Sequence, residues 1–160
     1  MKVKDIAVFN PKGVKPTDFI NYIDTSAVED GKLLDIQKLY TNIPLRAQRK
    51  VELNDILVSS VRPNLKHNYF AKKRIENCIA STGFIQIRVT SNNVLPQFLY
   101  YYLTTEDKMR QYQMIAESSQ STFPSFNKDV IEEMIFPEIS VDDQQHIVDS
   151  TRKLFNEVAV

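Results

Sequence analysis

The strongest apolar run in the chain is Ile56-Leu57-Val58. It follows the turn-prone pair Asn54-Asp55 and leads into Ser59-Ser60-Val61-Arg62-Pro63-Asn64. A short apolar run without polar alternation predicts a strand buried on both faces. Pro63 has no N–H to give to a ladder and biases Arg62 towards extended backbone, so the strand should stop there. The second strong strand signal covers residues 78–89 and is broken at Thr82-Gly83. Beyond the glycine, Phe84, Ile85, Ile87 and Val89 largely alternate, with Gln86 and Arg88 on the other face. Weaker patterns predict a short strand or turn over residues 3–8, a strand over 19–24 and a turn over 27–31. They also predict a short strand over 69–71 and a charged turn over 72–77. Residues 33–40 fit neither period.

From Pro96 onward the spacing becomes helical. Pro96 suits a first helical turn, and Phe98, Leu99, Tyr102 and Leu103 share one side. Thr105 should cap a second helix carrying Met109, Tyr112 and Ala116 inward, which makes a helical hairpin. The aromatic stripe of the hairpin reads as core. Residues 117–126 form a polar loop, after which Asn127 is a candidate cap for a short helix holding Val130, Ile131 and Met134. Ser140 with Asp143 three residues later has the spacing of a capping box. It should open a final helix whose narrow seam is Ile147, Thr151, Leu154 and Val158.

Composition narrows the class. At 160 residues, 42% hydrophobic and 25% charged, the chain is long enough for one domain with a real core. Its single cysteine, Cys78, excludes an internal disulfide. Together with an N-terminus unlike a signal peptide, this points to the cytoplasm. No stretch has the roughly 20 apolar residues of a membrane span. Only Gly13, Gly31 and Gly83 are glycine, so there is no glycine-rich phosphate loop. Net charge is zero but divided: residues 46–74 sum to +6 and residues 129–160 to −6. A basic middle fits a polyanion and an acidic end fits solvent or another partner, although two solvated faces would look the same.

Little of this resembles catalysis. His67, His146 and Cys78 have no metal-ligand spacing, so neither a metal nor a cofactor is expected. Glu106-Asp107-Lys108 has the Glu-x-Lys form of some metal-dependent nucleases, but an acid is expected at a helix start for dipole reasons alone. The better candidate is the end of the central strand. There a rigid element should present hydroxyls, a guanidinium and an amide, groups suited to phosphates and base edges. A core strand entering an ordinary polar loop remains the alternative. On the first reading, Arg46, Arg49, Lys50, Arg62 and Lys66 hold phosphates. Ser59, Ser60, Asn64, Gln120, Ser121, Thr122 and Asn127 are then the short polar side chains placed to read bases.

Several segments in order resemble one known family. They are residues 44–51 (Pro-Leu-Arg-Ala-Gln-Arg-Lys-Val), 55–64 (Asp-Ile-Leu-Val-Ser-Ser-Val-Arg-Pro-Asn) and Ser81-Thr82-Gly83-Phe84. Phe98-Leu99-Tyr100-Tyr101-Tyr102-Leu103, Gln120-Ser121-Thr122-Phe123-Pro124, Ile135-Phe136-Pro137 and Asp143-Gln144-Gln145-His146-Ile147 continue the series. The chain resembles, from about Ile20 onward, the target-recognition domain of specificity subunits in type I restriction–modification systems. That resemblance implies a non-enzymatic α+β module that reads one half of a bipartite site in double-stranded DNA. Methylation and cleavage would belong to methyltransferase and endonuclease partner subunits. The expected fold is a mixed, strongly twisted sheet or barrel-like β core with a helical hairpin and a C-terminal helix. Residues 1–140 would be the recognition domain and 141–160 the start of a spacer or dimerisation helix. A homodimer through Ile147, Leu154 and Val158 is one possible assembly. The loop near Gln120-Ser121-Thr122 lacks a glycine often found in the family. The competing function is a protein–protein adaptor that acts through the acidic last helix and never touches DNA.

Overall fold

Short apolar runs divided by turn residues give short strands. The computed structural model describes residues 1–119 and 124–159, with 153–159 described by backbone alone. Its strands are β1 (Ala7–Phe9), β2 (Ile20–Ile23), β3 (Val28–Glu29), β4 (Lys32–Leu33), β5 (Gln37–Leu39), β6 (Ala47–Lys50), β7 (Ile56–Ser59), β8 (Asn68–Phe70), β9 (Cys78–Ser81) and β10 (Phe84–Val89). The helices are α1 (Pro96–Leu103), α2 (Glu106–Glu117), α3 (Asp129–Glu132) and α4 (Val141–Ala159), and Pro63–Leu65 forms a 3-10 turn.

The strands divide into two four-stranded sheets, β1-β10-β7-β8 and β5-β2-β9-β6, plus the β3-β4 ribbon. The first sheet is antiparallel throughout; in the second, β2 and β9 are parallel. All four residues of β7 are buried, as its unbroken apolar run predicts. Ile56 and Val58 pack towards the helices, in a core with Phe98, Leu99, Met109 and Tyr112. Leu57 points the other way, into a second core with Ile23, Ala80 and Phe84. The order of layers is therefore helices, first sheet, second sheet, and β7 runs through the middle. Each such fully buried aliphatic side chain contributes about 1.5–3 kcal/mol.

The α+β class, the helical hairpin and the C-terminal helix agree with the sequence reading. The β core is not a closed barrel. The Thr82-Gly83 turn passes the chain from the second sheet to the first, so β9 and β10 are adjacent in sequence but lie in different sheets. The ambiguous residues 33–40 contain the end of β4 and all of β5.

Arg62 is not extended. Its φ and ψ are 47° and 63°, in the left-handed region. Proline disfavours the right-handed helical region at Arg62, and the bend is held by the Arg62 N–H donating to the Pro124 carbonyl at 2.9 Å. Asn127 does not cap α3 with its side chain. Lys128 occupies the cap position and Asn127 contributes its carbonyl, which accepts from the Val130 N–H.

The face of α4 that packs on the domain is one residue away from the expected seam. Gln144 and Val148 are buried, whereas Ile147 is 44% exposed. The anchor is polar, which is why an apolar stripe missed it. Gln144 Oε1 accepts from the Leu95 N–H, and its Nε2 donates to the carbonyls of Asn93 and Ile139. The side chains of Leu154 and Val158 lie outside the described residues.

Candidate nucleic-acid interface

At the C-terminal end of β7, four stretches of backbone run side by side. Ser60 donates to the Gly83 carbonyl through both its N–H (2.9 Å) and its hydroxyl (3.0 Å). On the other side, the Phe126 N–H donates to the Ser60 carbonyl, and Val61 bridges to Ser125. The Thr82 N–H donates to the carbonyl of Arg46, and Ala47 pairs with Ser81. This rim therefore joins Arg46, Thr82-Gly83, Ser60–Arg62 and residues 124–126. Gly83 is required by close packing: a Cβ there would lie 2.8 Å from Thr25 Cγ2. Gln120, Ser121 and Thr122 lie outside the described residues, but the chain that follows them re-enters at the rim.

The sequence-predicted residues do not form one patch. Arg46 and Arg62 are exposed on the rim, and Arg46 Nη2 lies 3.9 Å from Asp24 Oδ2 with its side chain 65% exposed. Ser60 is half-buried in the rim. Ser59 is buried, and its hydroxyl donates inward to the Val61 carbonyl at 2.8 Å. It shapes the turn instead of facing solvent. Asn64 is exposed, and its backbone N–H donates to Gln113 Oε1. Lys66 Nζ pairs with Glu106 Oε1, which raises the lysine pKa and lowers that of the carboxylate. The acid of the Glu-x-Lys sequence thus neutralises a neighbouring lysine at the start of α2. Asn127 is exposed just beyond the rim.

Arg49 and Lys50 lie further along the edge strand β6, away from the rim. Burial lowers the Arg49 pKa, and its Nε is enclosed without a hydrogen-bond partner among the described residues. Lys50 lies against Gly13, where an added Cβ would sit 2.8 Å from its own. Lys72, Lys73 and Arg74 are exposed at the opposite end of β7, because β8 runs back to pair Phe70 with Ile56. Of the +6 segment, the rim itself therefore carries two arginines.

The sequence reading missed the polar centre that sets the strand from below. Asp55 is fully buried, and four donors converge on its carboxylate. Arg88 supplies Nε and Nη2 at 2.8 and 2.9 Å, Gln86 supplies Nε2 at 2.7 Å, and the Glu52 N–H comes within 2.8 Å. The bonded carboxylate raises the Arg88 pKa. A signal was present: Gln86 and Arg88 alternate onto one face of a strand that is apolar elsewhere, and such a pair needs an acceptor. Cys78 is plain core; burial pushes its thiol up to about 12.

Comparison with known proteins gives a consistent result. The chain is 30% identical over 138 residues to the specificity subunit of the type I restriction enzyme HindI from Haemophilus influenzae. That match covers 82% of this chain but 30% of the relative. In fold it matches the HsdS subunit from Thermoanaerobacter tengcongensis with a TM-score of 0.83 at 23% identity. It matches a chain from a study of type I R-M complex assembly and conformational transition with a TM-score of 0.80 at 21% identity. Each comparison covers 99% of this chain and 42% of the other, so the chain spans less than half the length of these relatives. The family described as the type I restriction modification DNA specificity domain matches residues 1–159, and the chain belongs to it.

Proposed function

We propose that the domain reads one half of a bipartite target in double-stranded DNA for a cytoplasmic type I restriction–modification complex. The observation that carries the reading is the rim. Backbone hydrogen bonds fix Ser60, Arg62, Thr82 and Arg46 against each other at the end of a fully buried strand, so polar and cationic groups are displayed on a rigid frame. Arg46 and Arg62 are the phosphate contacts. Asn64 and the Gln120-Ser121-Thr122 loop supply base contacts, since an amide can bond an adenine edge in two places. Arg49 and Lys50 extend the phosphate track along β6. Methyltransferase and endonuclease subunits would dock elsewhere and perform the chemistry. Residues 1–140 act as the recognition unit and α4 as the start of a spacer whose exposed face serves assembly.

The test is duplex-DNA affinity over a salt series. Each phosphate contact removed should flatten the slope of log affinity against log salt by roughly one unit. The Arg46→Ala, Arg62→Ala variant should therefore lose about two units of slope. An unchanged slope and affinity would remove the rim from the interface.

A further inference from the structure

The loop that enters the rim at Arg46 is apolar at its tip. Ile43 is 38% exposed and Leu45 90%, the latter being the most exposed large hydrophobic residue among those described. The loop is held in place. The Ala47 N–H donates to the Pro44 carbonyl at 3.0 Å, and Gln48 Nε2 donates to the Leu45 carbonyl at 2.7 Å. At its base Tyr40 lies beside Phe19, with ring centroids 6.0 Å apart, and Lys38 Nζ sits 4.5 Å over the Phe19 ring. Exposed apolar side chains grouped on one fixed loop and rimmed by polar and charged groups are the form an interaction site takes. The surrounding charge identifies the partner. Between Asp35 and Glu52 the chain carries Lys38, Arg46, Arg49 and Lys50 and no acid.

We propose that Ile43 and Leu45 form a wedge that inserts between adjacent base steps of the duplex, while Lys38 and Arg46 hold the flanking phosphates. Apolar side chains with basic neighbours are the means by which proteins unstack and kink DNA. A wedge next to the reading rim would make recognition depend on the flexibility of a step as well as on its base edges. This inference rests on the DNA-reading function and sharpens it.

The experiment uses the full chain. Duplexes are selected from a random pool at about 50 mM salt, where phosphate contacts are strong. 2-Aminopurine is then moved through the selected site, and fluorescence is compared for the wild type and an Ile43→Ser, Leu45→Ser variant. Both altered residues are exposed, so circular dichroism and melting should not change. The wild type should raise fluorescence at one step. The variant should lose that signal and bind roughly tenfold more weakly. Its salt slope should match that of the wild type, because no charge is removed. Tight binding with no fluorescence rise at any position overturns the wedge and leaves the DNA reading standing. An equal rise from the variant also overturns it. Failure to retain any duplex removes the DNA reading and the wedge together. Loss of methyltransferase co-sedimentation in the variant, with DNA binding intact, would overturn the wedge and assign the loop to a protein contact.

Discussion

Asp55 takes a whole carboxylate out of water, and the chain answers with a bidentate guanidinium, a side-chain amide and a backbone N–H. Breaking a buried pair by removing one partner leaves the other charge uncompensated, which costs about 3–5 kcal/mol. Arg88 keeps about a third of its side chain in contact with solvent, so it tolerates the loss better than Asp55 would. Asp55→Ala should accordingly destabilise by about 3 kcal/mol, the low end of that range, and Arg88→Ala by at least as much. Urea unfolding of both variants checks this, and a loss below 1 kcal/mol in either would show that the centre is not structural. Backbone strain sits at Arg62 and Lys66. Both adopt left-handed backbone on either side of the Pro63–Leu65 turn, without the short polar side chain that eases this region for Asn10 or Asn54. Sequence periodicity puts Gln86 and Arg88 on one face but names neither their acceptor nor the bend at Arg62. It reports which face of an element is apolar, and Asp55, Gln86 and Arg62 are set by what the backbone brings near them.

Individual elements were legible where burial is simple. β7, the break at Thr82-Gly83, the Pro96 start of α1 and the Thr105 cap of α2 each follow from one local rule, and the structure places each where that rule does. The last helix follows the rule at its start, where the Asp143 N–H donates to Ser140 Oγ. Its packed face does not follow, because the group that fixes the helix rotation is the amide of Gln144. Gln144→Leu keeps the volume but strands one buried donor and two acceptors. Each unsatisfied group costs about 1–3 kcal/mol, so the variant should lose about 3 kcal/mol. At this chain length that corresponds to a fall in melting temperature on the order of 10 °C. Amide exchange should quicken first in residues 141–148, and a uniform change across the domain would show that Gln144 supports the whole fold instead of the docking of α4.

At the scale of the molecule, Asp142, Asp143 and Asp149 are exposed on α4, while Glu132 and Glu133 of the same acidic segment pair with lysines. Sequence alone did not reveal how the basic segment divides, because antiparallel pairing of β7 and β8 sends Arg62 and Lys72 to opposite ends. Ile147 faces solvent on α4, which supports the proposal that two copies pair through this helix. Two-fold pairing would place identical recognition domains at the ends and select inverted half-sites at fixed spacing. Sedimentation equilibrium tests it. The wild type should rise above 18.5 kDa with concentration, and an Ile147→Asp, Leu154→Asp variant should stay there. Equal masses at every concentration would move assembly to another surface.

The first residues and the segment before α4 are tied together. The Val3 N–H donates to the Met134 carbonyl, the Phe136 N–H donates to the Met1 carbonyl, and Lys2 and Lys4 both reach Glu133. These contacts hold the Glu133 carboxyl down at about 2. In mechanical terms, tension applied between residues 1 and 136 falls on this short clasp before it reaches either sheet. The clasp therefore closes the chain on itself just ahead of α4, and the Gln144 amide and the buried Val148 carry the helix's own hold on the domain.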